Sequence, residues 1–117
     1  MKRFAHTLQA GNTVPLHYTH KVNGEAADFD SGDNFIIAIY NINRRCLFNA
    51  SIEDGTIIKG SNTGEYICTM NFEDTVNMPD KTIMEMVVKD SDGTVKHIED
   101  DVMIFWNNNT INDLIRR

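Results

Sequence analysis

The chain has 117 residues, with 17 acidic side chains against 11 basic ones and a formal charge of −6. That length fits one domain able to bury roughly two-thirds of its unfolded surface, and the acidic balance repels a phosphate backbone, so a nucleic-acid groove is excluded. Hydrophobic residues at 41% and charged residues at 24% exclude disordered, collagen-like and disulfide-dense classes, and the longest apolar runs, Phe35 to Tyr40 and Val102 to Trp106, are too short to span a membrane.

Met1 to Thr7 carries basic residues with no apolar stretch behind them, so no secretory mark is read and a cytoplasmic protein is expected. Val14, Leu16, Tyr18, His20 and Val22 then share a parity before the turn dipeptide Asn23-Gly24. The run from Asn34 to Ile42 holds apolar residues at both parities and is rich in β-branched side chains, the pattern of a strand covered on both faces. Arg45 to Ala50 returns after a short connection as its hairpin partner. Asp54-Gly55 precedes a short strand over Thr56 to Lys59. In Gly64 to Phe72, the residues Tyr66, Cys68, Met70 and Phe72 share one parity and should face the core. Thr82 to Lys89 alternates Met84, Met86 and Val88 with Ile83, Glu85, Val87 and Lys89. Asp90-Ser91-Asp92-Gly93 then supplies a hairpin turn, and the returning strand runs from Thr94 to Trp106 with a break at Glu99 to Asp101.

Only Pro15 and Pro79 interrupt the chain and no period repeats, so residues 1–106 read as one domain and 107–117 as a tail. The strands, about seven or eight and all short, predict an all-β antiparallel sandwich. Its expected core is Leu16, Tyr18, Phe35, Ile37, Ile39, Tyr66, Cys68, Met70, Met84, Met86, Val88 and Ile104, with the parity of Phe35 to Tyr40 left open between its two faces. The tail is the one helical candidate: Thr110 caps it, and Ile111, Leu114 and Ile115 line one side.

Groups able to carry chemistry were weighed against plainer roles. His6, His17, His20 and His97 invite a metal, but on a strand His17 and His20 point to opposite faces. Asp28-Phe29-Asp30-Ser31-Gly32-Asp33 has the look of a calcium loop without its later bidentate Glu, so a polar turn is expected. Glu99-Asp100-Asp101 reads as a solvated bulge rather than a catalytic pair or cation site. Cys46 and Cys68 lack a CxxC context and are expected as buried, reduced thiols. No GxSxG or thiol-enzyme context is present. The expectation is therefore a non-enzyme with no metal and no organic cofactor. Trp106, at the end of the last strand, reads as either a contact residue or a lid on the core.

The order "HTLQAGNTVPLHY", "VNGEAADFDSGDNFIIAIYN", "DGTIIKGSNTGEYICTMNF" and "EDTVNMPDKTIMEMVVKDSDGTV" resembles the immunoglobulin-like β-sandwich domains of bacteriophage tail and baseplate proteins, notably the N-terminal domain of baseplate upper proteins. The match runs from about Thr7 to Phe105 and is carried by turn and strand patterns. It departs from the family at Asp28-Phe29-Asp30-Ser31 and at Pro79-Asp80-Lys81-Thr82-Ile83, and the family's long C-terminal region has no counterpart here. The resemblance implies a non-catalytic virion or prophage structural protein without cofactor, found in the host cytoplasm during assembly and then in the virion. Its partners would be other virion proteins or copies of itself, as a homo-oligomer, with neither nucleic acid nor membrane. The runner-up is a small binding module for carbohydrate or a protein ligand, using Trp106, Tyr66 or Tyr18. Candidate contacts are Trp106 with Ile111, Leu114, Ile115, Arg116 and Arg117 of the tail, whose two arginines suit an acidic body.

Overall fold

The computed structural model describes residues 4–99 and 101–107. Its elements are β1 (Phe4–Gln9), β2 (Val14–Thr19), β3 (Lys21–Val22), β4 (Glu25–Ala26), β5 (Asn34–Tyr40), β6 (Cys46–Ser51), β7 (Ile57–Lys59), β8 (Glu65–Met70), α1 (Phe72–Thr75), β9 (Lys81–Lys89), β10 (Val95–His97) and β11 (Val102–Asn107). The expected tail helix and the contacts Ile111, Leu114, Ile115, Arg116 and Arg117 lie outside the described residues.

The hairpins close where short-range chemistry dictates. Asn23 and Gly24 take φ of +53° and +85° between β3 and β4, the paired positive values of a type I′ turn. Between β5 and β6, Asn41 Oδ1 accepts from the backbone N–H of Asn43 and of Arg45, each at 2.9 Å. Between β9 and β10, Asp90 Oδ1 accepts from Asp92 and Thr94 N–H, each at 3.0 Å. These side chains stand in for backbone partners and hold the turns open to water.

The larger sheet has the order β1-β11-β9-β5-β6, with β10 added on β9; the smaller has β2-β8-β7. Pairing is antiparallel except between β1 and β11, which run parallel from Phe4↔Val102 to Gln9↔Asn107. The opening segment, expected as one strand, is thus two strands in different sheets, joined across the sandwich by Ala10 to Thr13. That corner is pinned by Thr75 of α1, whose buried hydroxyl donates to Asn12 O at 2.7 Å and accepts from Gly11 N–H at 3.0 Å. The helix interrupts the expected parity of the preceding strand: β8 ends at Met70, and Phe72 is only half-buried. Its local cause is Asn71, whose N–H donates to Asp74 Oδ2 at 2.8 Å, closing the first turn as a capping box does.

Facing sides of the two sheets form a single core. Phe35, Ile37 and Ile39 of β5, Met84, Met86 and Val88 of β9, and Val102, Ile104 and Trp106 of β11 meet Val14, Ile57, Tyr66, Cys68 and Met70 of the smaller sheet. The parity left open in β5 is settled with Phe35, Ile37 and Ile39 inward. Leu16 and Tyr18, expected in the core, are half-buried, because among the described residues no strand pairs with the outer edge of β2.

Candidate functional site

With the inward set fixed, alternation sends Ile36, Ala38 and Tyr40 of β5, Ile83, Glu85 and Val87 of β9, and Met103 and Phe105 of β11 to the outer face of the larger sheet. Register aligns them in rows: Tyr40, Ile83 and Met103 form one, and Ile36 and Val87 lie in another that continues to His97. The face is apolar where a one-sided sheet is polar. Phe105 is 38% exposed, and Ile42 and Leu47 continue the apolar surface around the β5–β6 turn at 67% and 37%. Lys81 Nζ stands 5.9 Å from the centre of the Phe105 ring. Burial pushes the Tyr40 phenol above its ordinary pKa, with Glu85 and then Cys46 adding to the rise and Arg44 opposing it.

One polar cluster interrupts this face. Glu85 on β9 and His97 on β10 are brought together by strand pairing, with His97 Nε2 3.3 Å from Glu85 Oε2. Asp101 joins them where the returning strand breaks between β10 and β11: His97 pairs with Val87, and Asp101 directly precedes Val102, which pairs with Met84. Of the acidic run weighed above, Glu99 accepts from the Tyr18 hydroxyl at 3.3 Å, and Asp100 lies outside the described residues. The expected break in the returning strand is present, with β10 ending at His97 and β11 starting at Val102. What the sequence left hidden is that Asp101 meets Glu85 and His97.

A second concavity lies at the open edge of the sandwich, a crevice of about 260 Å³ between β1 and β2, with Leu8, Leu16, Tyr18, Met86 and Ile104 in its walls and His6 and His17 among its lining residues. Tyr18 spans it to Glu99, and burial, followed by that carboxylate, raises the Tyr18 pKa to about 12.

Trp106 takes the second of its two expected roles. It is 3% exposed, and its Nε1–H donates at 2.9 Å to Thr82 Oγ1, whose hydroxyl donates to Ile104 O at 3.4 Å. It is a core side chain and not a surface contact, because β11 continues past it to Asn107 and keeps its inward parity. Tyr66 is likewise buried, with its hydroxyl accepting from Phe29 N–H at 2.9 Å. The Asp28 to Asp33 loop is a structural clamp. Asp28 Oδ1 accepts from Gly64 N–H at 2.6 Å and pairs with Lys59 at 3.2 Å, and the Gly64 bond foremost, with Lys59, lowers its pKa. His20 stacks on Phe29 at 4.1 Å between ring centres. The thiols are both free, yet only Cys68 is buried; burial, followed by Asp74, raises its pKa to about 11. Cys46 is exposed because its position on β6 opposes Tyr40 on the outer face.

The chain is mostly β, in an immunoglobulin-like sandwich: one sheet carries β2, β8 and β7 in a B-E-D arrangement, and in the other β11, β9, β5 and β6 follow the G-F-C-C′ arrangement of variable-type domains, with β1 added at the edge beside β11. Both cysteines are free, so the inter-sheet disulfide of antibody domains has no counterpart here, and the core between the sheets is held by apolar packing. No protein-family model matches the chain, and the search of curated proteins gives no match. Among solved structures, it is similar to the crystal structure of the ZIG-8–RIG-5 IG1–IG1 heterodimer, with 11% identity over 92% of this chain and 84% of that one and a TM-score of 0.42. The fold assignment rests on the strand order, not on that likeness.

Proposed function

We propose that this is a non-catalytic assembly module that docks another protein against the outer face of its larger sheet. The observation that carries the reading is the row structure of Ile36, Tyr40, Ile83, Val87, Met103 and Phe105, an apolar second face on strands whose first face already fills the core. Contiguous apolar surface of this kind marks protein contacts. The occupant fits the partners that the sequence resemblance implies: other components of a phage tail or baseplate, or further copies of this chain in a homo-oligomer, in the host cytoplasm and then the virion. Two observations support a non-catalytic role. The thiol of Cys68 is buried and held protonated, and Ser51 Oγ is engaged by Asp54 N–H at 3.0 Å. The carbohydrate alternative loses Trp106 and Tyr66 to the core and keeps only Tyr18 at the crevice.

Light scattering after size exclusion tests the face directly. The wild type is expected to exceed the monomer mass, and Phe105→Glu combined with Ile42→Glu to return it to monomer with an unchanged β spectrum. A wild type that stays monomeric at every concentration removes self-assembly, and tail genes on either side of the coding sequence would then favour a heterologous virion partner.

A further inference from the structure

We infer that Glu85, His97 and Asp101 form a binding site for a divalent transition-metal ion of the zinc class. One ligand atom from each of the three side chains lies within 4.8 Å of the other two. Zinc bonds of about 2.0–2.2 Å at a tetrahedral angle separate neighbouring ligand atoms by about 3.4 Å. The 3.3 Å between His97 Nε2 and Glu85 Oε2 already has that length, and Asp101 has a carboxylate oxygen within 4.8 Å of both, from where it closes to the third corner. One imidazole nitrogen with carboxylate oxygens suits zinc and its first-row neighbours, whereas calcium takes six or more oxygens.

The surroundings favour an ion independently of the spacing. The Glu85 side chain is 19% exposed and lies between Ile83 and Val87 on an apolar face, where a carboxylate with too little compensating charge is costly. Among the described residues neither Glu85 nor Asp101 has a Lys or Arg ion pair, and the partner of Glu85 is the His97 imidazole. Two carboxylates beside one imidazole leave negative charge that a divalent cation neutralises. Two of the ligands, Glu85 and His97, belong to paired strands, and the third, Asp101, directly precedes β11. Three protein ligands leave a fourth position free for water or for a donor from outside the chain. The site rests on this geometry whether or not the outer face takes a protein partner.

The test is isothermal titration of Zn²⁺ into untagged, metal-stripped protein, repeated with Co²⁺ as a spectroscopic probe. One equivalent is expected to bind, with visible Co²⁺ absorption of a nitrogen–oxygen site. His97→Ala and Asp101→Asn are each expected to weaken binding about tenfold or more, as loss of ligand-sphere groups does, while His17→Ala on β2 leaves it unchanged. Zn²⁺ should raise the thermal midpoint of the wild type and not that of His97→Ala. Midpoints and β spectra measured in chelator confirm that the variants are folded. Absence of binding by the folded wild type overturns the inference, as does binding that survives both His97→Ala and Asp101→Asn.

Discussion

The two sheets of the sandwich share one core but differ on their far sides. In the smaller sheet the outward positions include Pro15, His17 and Thr19 on β2 and Glu65 and Thr69 on β8, with apolar Ile67 and Ile58 as a minority. In the larger sheet the middle of the outer face carries Ile36, Tyr40, Ile83, Val87, Met103 and Phe105, with Glu85 and His97 among them and Lys81 and Lys89 at the two ends of β9. Water explains the first pattern, since a sheet packed on one side alternates apolar with polar. It does not explain the second. The difference teaches that the apolar content of β5 and β9 exceeds what the core alone requires, which is the basis of the docking proposal.

The comparison breaks most visibly if the two faces of β5 behave alike. Phe35→Ala removes a side chain with no exposed surface and is expected to cost about 3–5 kcal/mol. Ile36→Ala, one residue along and half-buried, should cost about 1 kcal/mol or less while reducing assembly. Urea denaturation with light scattering on both variants separates the two; equal stability losses would return Ile36 to an ordinary packing role. A smaller effect is expected at the end of β11. Trp106→Phe keeps an aromatic ring but removes the N–H that reaches Thr82 Oγ1 and part of the buried volume, for a loss of about 2–3 kcal/mol in the same assay, with assembly unaffected because the site is interior.

The smallest effect concerns the open edge, where the smaller sheet meets the larger through Tyr18 and Glu99. The folded state holds the Tyr18 proton to a pKa of about 12 against an ordinary value of 10.0. Because the folded value is the higher, stability from this group is complete below pH 10 and falls as pH rises toward 12. Tyr18→Phe should flatten that alkaline decline in a series of denaturation curves, and an identical decline in the variant would assign it to other groups, Tyr40 among them.

Much of the interior was legible because it depends on period-two alternation within single strands. Tyr66, Cys68 and Met70, and Met84, Met86 and Val88, stood at the right parity, and Asn23-Gly24 and Asp90 to Gly93 named their turns through side-chain chemistry alone. The break before Val102 was also visible, as a run of like charges that no strand interior accommodates. Three features were not. The division of the first segment between two sheets depends on a parallel pairing with β11, which no local pattern records. The α1 turn at Asn71 to Asp74 had a readable capping signal that the strand parity of Phe72 masked. The grouping of Glu85 with His97 and Asp101 arises from register and a bulge together, so a residue-by-residue search for ligand spacing passes over it. The doubly apolar pattern of β5 predicted cover on both faces, whereas among the described residues only the face of Phe35, Ile37 and Ile39 packs on the core.

Parallel pairing of β1 with β11 joins residues 98 positions apart, as in the bond from Gln9 to Asn107. Contacts that distant slow folding, because a large loop must close before they form. On a ribosome the consequence is sharper: at about 5–20 residues per second, β1 waits on the order of 5–20 seconds for β11, its one sheet neighbour among the described residues, to be synthesised. Through that interval β2, β5 and β8 have already emerged and can form most of the core, while β1 has no ladder to join. A nascent chain is therefore expected to build the sandwich from its middle outward and to add its first strand last, which makes β1 the element most open to capture by a chaperone or by the edge of another copy.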